Sequence, residues 1–109
     1  MGTDRDGVEG LLEKAVEAIV EAASPERVVL FGSHARGEAG PNSDMDFLVI
    51  TRPGRHRRDT AKAIYRRLSK IGYAVDIVVV TVDDVALHRD SPGLVISKAL
   101  DEGVDVYAA

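Results

Sequence analysis

Asp44 and Asp46 stand two apart in a run of strand-forming residues, DMDFLVIT at 44–51. Alternate residues of a strand face the same side, so both carboxylates point one way, about 7 Å apart. Two converging carboxylates repel unless a positive charge sits between them. A hard divalent cation with oxygen ligands is the simplest such charge, and Mg²⁺ is the usual one. A solvated strand start would give the same alternation. Asp76 lies inside AVDIVVV at 74–80, where every other residue is apolar. A carboxylate in such a strand calls for a partner or a metal. Arg27 and Arg36 are the candidate salt-bridge partners. If the two strands are neighbours, Asp76 joins Asp44 and Asp46 on one face. Three carboxylates can hold two metals about 3.5–4 Å apart, an arrangement that serves in-line phosphoryl or nucleotidyl displacement.

Gly32-Ser33 follows an apolar run, RVVLF at 27–31. Glycine lets backbone approach a ligand, and a serine at a turn offers a hydroxyl and amides suited to phosphate oxygens. Arg36, three residues on, could reach the same anion. A plain strand-to-loop turn would look the same, and the pair does not form the Gly-rich loop that ends in Gly-Lys.

The elements that must position these residues can be read from periodicity. Residues 8–23 repeat apolar side chains at helical spacing, with Asp6 and Glu9 placed as a capping box and Ser24-Pro25 as the stop. Strands are expected at 27–31 and 44–51, separated by a turn-rich loop over 32–43 with glycines at 32, 37 and 40 and Pro41. A polar loop over 52–58 leads to an amphipathic helix to 71, with Gly72 as its C-terminal cap. A strand at 74–80 follows. Thr81 could cap a short helix over 82–88, Ser91-Pro92 opens another that ends near Gly103, and 104–107 reads as an edge strand. The first two strands should pair antiparallel, and the strand–helix–strand unit over 44–80 should be parallel. The fold class is therefore α/β in the broad sense (α+β), a small mixed β-sheet with helices packed on it.

Composition bounds the function. The chain has 109 residues, 45% hydrophobic and 29% charged, which matches an ordinary globular domain and excludes wholesale disorder. One domain over 1–109 is expected. The net charge of -4 disfavours a surface that grips nucleic acid throughout, and two Phe, three Tyr and no Trp offer few stacking platforms. The absence of cysteine excludes disulfides and thiol catalysis. No apolar run reaches the roughly 18 residues of a membrane span, and the acidic start carries no signal core, so a cytoplasmic location is expected. Arg52, Arg55, His56, Arg57 and Arg58 form a basic cluster that Arg66 and Arg67 continue. It reads as a solvated loop and helix face, although it could attract triphosphate or an acidic partner. His56 and His88 have no partners at zinc-ligand spacing. Tyr65, Tyr73 and Tyr107 read as half-buried packing residues.

Gly32-Ser33, ten intervening residues, then Asp44-Met45-Asp46 resembles the signature of the polymerase-beta-like nucleotidyltransferase fold. The string LFGSHARGEAGPNSDMDFLV is similar to the minimal nucleotidyltransferases of bacteria and archaea, and the closing ALDEGVDVY resembles that family's usual ending. The resemblance implies a nucleoside triphosphate bound with Mg²⁺. Asp44 and Asp46 would hold the metals. Asp76 would complete the triad and act as general base. Gly32 and Ser33 would contact the triphosphate, and Arg36 would neutralise its charge. It further implies an antitoxin that transfers AMP from ATP to a tyrosine of a cognate HEPN-domain toxin, in a hetero-oligomer with it, and so blocks its RNase activity. The rival readings are a binding module that masks its partner without catalysis and a small-molecule nucleotidyltransferase. The latter type carries an added helical domain, for which 109 residues leave little room. His34 stands where the family more often has Arg, Tyr or Phe, and it reads as an exposed loop residue.

Overall fold

In a computed structural model, which describes residues 3–40, 43–72, 74–91 and 94–109, a four-stranded sheet has the order β3-β2-β1-β4. The chain runs α1 (Thr3–Ala23), β1 (Arg27–Phe31), α2 (Ser33–Arg36), β2 (Met45–Thr51), α3 (Arg57–Leu68), β3 (Val75–Thr81), α4 (Val82–His88), α5 (Val95–Glu102) and β4 (Val104–Ala108). β1 pairs antiparallel with both β2 and β4, and β2 pairs parallel with β3. The mixed sheet and both expected pairings are as the sequence implies.

β2 is central and buried from Phe47 to Thr51, because helices cover both faces of the sheet. On one face Val28, Leu30, Phe47 and Val49 pack with Ile19 of α1 and Ile64 and Leu68 of α3. On the other, Val29, Leu48, Ile50 and Val80 pack with Ile96 and Ala99 of α5, joined by Val85 of α4. Alternation along β2 therefore sends odd residues to α1 and α3 and even residues to α4 and α5. Asp46 belongs to the second set.

Several boundaries differ from expectation. α1 already begins at Thr3, so Asp6 and Glu9 lie within it rather than at its start. Ser24, ahead of Pro25, turns the chain with φ 43°. The turn-rich segment contains the single-turn α2, too short to show periodicity. α3 begins with His56 as its N-cap, its Nδ1 accepting the Asp59 N–H. The helix stops at Leu68, and Gly72 takes φ 75° after one further turn instead of capping it directly. α5 starts at Val95 behind an extended Leu94. Pro92, to which the sequence assigns that start, lies outside the described residues, as do Pro41 and Tyr73. Among the described residues no helix is long and apolar enough to cross a membrane.

Candidate active site

β1 ends at Phe31, and the chain turns at once into α2 through Gly32. Gly32 has φ 76° and ψ -155°, a region open in practice to glycine alone. A Cβ there would also collide with Oδ2 of Asp46. The glycine is therefore required twice, by its own backbone and by the carboxylate laid against it. This contact sets Asp46 directly beside the Gly32-Ser33 turn.

Asp46 and Asp76 are register partners across the parallel β2–β3 pair. Such partners sit about 4.8 Å apart at Cα and point to the same face. Asp44 lies just ahead of β2, exposed and outside the sheet. Burial pushes the Asp46 carboxyl above its ordinary 3.8, and the charges of Asp76 and Asp44 push it further. His34 and Arg36 pull it back down. All three expected carboxylates thus act on one spot, with α2 supplying the opposing positive charge.

Three expectations need correction. Asp76 is exposed rather than buried, because it stands near the start of β3, whereas Val79 and Val80 farther along the same strand are buried. Among the described residues no ion pair joins Asp76 to either expected arginine: Arg27 pairs with Asp105 at 2.6 Å, and Arg36 pairs with Glu38 at 2.8 Å and Glu102 at 3.4 Å. Arg36 is anchored by Glu102 to the C-terminal end of α5, and its guanidinium still has donors to spare. His34, expected as an exposed loop residue, is instead half-buried in α2, and its Nε2 lies 3.2 Å from the Ser43 carbonyl oxygen. No periodicity or spacing in the sequence signals that contact.

Among the described residues no three His, Asp or Glu side chains form a ready-made metal centre. Like charges at this spacing hold apart when no cation draws them in. The donor chemistry nonetheless fits a hard cation: oxygen ligands only, two of them on one face of the sheet, with the central carboxyl already penalised for its charge. Closing the set on a cation requires side-chain rotation.

The basic cluster lies elsewhere. It follows β2 at the end opposite Asp46, and much of it is spent internally. Arg52 pairs with Glu26, Arg57 with Asp84 at 2.8 Å, Arg67 with Glu21 at 2.9 Å, and Arg55 donates to the Ala23 carbonyl at the end of α1. Tyr65 is 42% exposed, and its hydroxyl accepts the Ile77 N–H at the outer edge of β3. It is more than a packing residue, whereas Tyr107 packs half-buried as expected.

A family model described as a nucleotidyltransferase domain matches residues 12–106. Among curated proteins there is no significant match. Similar solved structures include the following three. One, described as a candidate minimal nucleotidyltransferase, is 28% identical, with TM-score 0.62 over 91% of this chain and 92% of its own. A candidate nucleotidyltransferase from Sulfolobus solfataricus is 22% identical, with TM-score 0.59 over 99% of this chain and 92% of its own. A toxin-antitoxin crystal structure with AMP-PNP is 18% identical, with TM-score 0.64 over 89% of this chain and 73% of its own.

Proposed function

With residues 12–106 matched by that family's model, the chain belongs to the nucleotidyltransferase domain family, and on that premise we propose a Mg²⁺-dependent transfer of AMP from ATP to a protein hydroxyl. The carrying observation is the packing of the Asp46 carboxylate against Gly32, which supports a metal site adjoining a turn that receives phosphate. Asp44 and Asp46 would hold the metal, completed by Asp76. Bound there, Mg²⁺ would screen the triphosphate and stabilise the charge that develops on the leaving pyrophosphate.

The chain's own residues carry the rest. The Gly32-Ser33 turn offers backbone and the Ser33 hydroxyl to the triphosphate. Arg36, held by Glu38 and Glu102, neutralises phosphate charge with its remaining N–H groups. Asp76, exposed on the edge strand, is open to an incoming acceptor and takes the hydroxyl proton. The acceptor oxygen attacks the α-phosphorus, the bond to the β-phosphate oxygen breaks, and pyrophosphate departs.

The acceptor we propose is a tyrosine of a HEPN-domain toxin, with this chain as its antitoxin. The sequence resemblance supports that choice, as does the fold shared with a toxin-antitoxin structure that carries a nucleotide analogue. The test is incubation with Mg²⁺, ATP labelled at the α-phosphate and the candidate toxin, beside the Asp44→Ala variant. Label on the toxin, lost in the variant, is the expected result. An intact complex without label would favour masking without catalysis.

A further inference from the structure

Asp44 is the one carboxylate of the three that lies outside the sheet, so something other than strand pairing must fix it. On its far side Met45 donates its N–H to the Ala74 carbonyl at 3.0 Å. On its near side Ser43 is held three ways. Its N–H donates to the Gly40 carbonyl at 3.2 Å, its Oγ accepts the Gly40 N–H at 2.9 Å, and its carbonyl lies 3.2 Å from His34 Nε2. A carbonyl oxygen only accepts, so Nε2 carries the proton in this contact. The two Gly40 bonds are local and would travel with the turn if it moved. The His34 bond is different: it spans nine residues and ties the turn to α2, next to Ser33. The Ser43 carbonyl shares a rigid peptide plane with the Asp44 Cα. Holding that oxygen therefore holds the plane from which the Asp44 side chain projects.

We infer that His34 is a positioning residue, clamping the Ser43 carbonyl so that Asp44 stands ready for a divalent cation in register with the Gly32-Ser33 turn. This rests on the metal-holding role proposed above for Asp44. Outer partners that orient metal ligands are worth about 10–100-fold in metal affinity. His34 would supply that effect through backbone rather than through the ligand's own side chain.

The probe is Mn²⁺ alone, titrated without nucleotide and followed by loss of the free-ion paramagnetic resonance signal. His34→Leu keeps bulk and removes the donor. His34→Gln places an amide N–H close to where Nε2–H was. Asp44→Asn removes the ligand's charge, and thermal melts accompany every variant. Should His34→Leu fail to fold, His34→Asn, too short to reach Ser43, replaces it. The expected result is Mn²⁺ affinity weakened about 10–100-fold in His34→Leu and restored to within about threefold of wild type in His34→Gln. Wild-type affinity in His34→Leu, with only the melting temperature or only ATP affinity lowered, would overturn the inference. So would a glutamine variant as weak as leucine. If Asp44→Asn binds Mn²⁺ like wild type, or wild type binds none, the proposed metal site itself falls and takes this inference with it.

Discussion

Gly32 and Asp76 show how one residue can set the terms for a site. Gly32→Ala forces a side chain into a glycine-only backbone region and into the Asp46 carboxylate. We expect it to lower unfolding free energy by about 1–3 kcal/mol in urea titrations and to abolish nucleotide transfer. A stable, active alanine variant would mean that neither constraint operates. Asp76 acts through charge. The Asp46 carboxyl is raised by burial and then by Asp76 and Asp44, so the unfolded chain gives up that proton at lower pH than the folded one. Its contribution is most favourable below the ordinary 3.8 and is lost as pH rises through the elevated folded value. Asp84 slopes the other way, because its bonds to Thr81 hold it low. The informative quantity is therefore a difference between variants. In EDTA, Asp76→Asn should melt above wild type at neutral pH, with a smaller fall in stability as pH rises through the weakly acidic range. Its transfer activity should be lost. A lower melting temperature would mean that the carboxylates are not in net repulsion, contrary to a site that trades stability for function.

Among the elements, the shorter ones depend on individual residues. α4 is held by a capping box in which Thr81 and Asp84 bond each other's backbone N–H at 3.1 and 3.0 Å. Thr81→Ala should cost about 0.5–2 kcal/mol, measured by urea unfolding, and leave β3 pairing intact. A change below a few tenths would show that tertiary packing alone holds the helix. That cap was legible, because threonine stands directly ahead of the short helix expected over 82–88. β1 was legible to the residue, since five apolar-rich positions bounded by proline and glycine leave little freedom. The carboxylate pair and its turn were legible through spacing. Other features were not. AVDIVVV reads as buried throughout, but only Val79 and Val80 at its end are buried, and how far the helices cover a strand is not written in a hydropathy pattern. α2 has four residues, fewer than any periodic signal needs. His34 and His56 do their work through a ring nitrogen on a backbone group, at Ser43 and Asp59 respectively, and neither bond leaves a trace in composition or spacing.

Over the whole molecule, charge of opposite sign collects at opposite ends of the central strand. Asp44 and Asp46 stand at the start of β2, and the Arg52–Arg58 cluster follows its end. Seven residues at about 3.3 Å each separate them by roughly 20 Å. The Debye length at physiological salt is about 8 Å, so exposed arginines at one end exert little field at the other. Their own pairs, Arg52 with Glu26 and Arg57 with Asp84, soak up more of that charge. A basic cluster close in sequence to the candidate site is thus removed from it in space, and His34 and Arg36 of α2 carry the positive charge that Asp46 feels. The double variant Arg52→Gln, Arg58→Gln should therefore bind Mg²⁺-ATP within about twofold of wild type at 0.15 M salt, by isothermal titration calorimetry. Its melting temperature should stay close to that of wild type, as is ordinary when exposed pairs are lost. Arg36→Gln, with one exposed arginine removed instead of two, should weaken the same binding by tenfold or more. If the distal pair proves as costly as Arg36, the nucleotide reaches along the strand to its far end, and the site is larger than the Gly32–Asp46 corner.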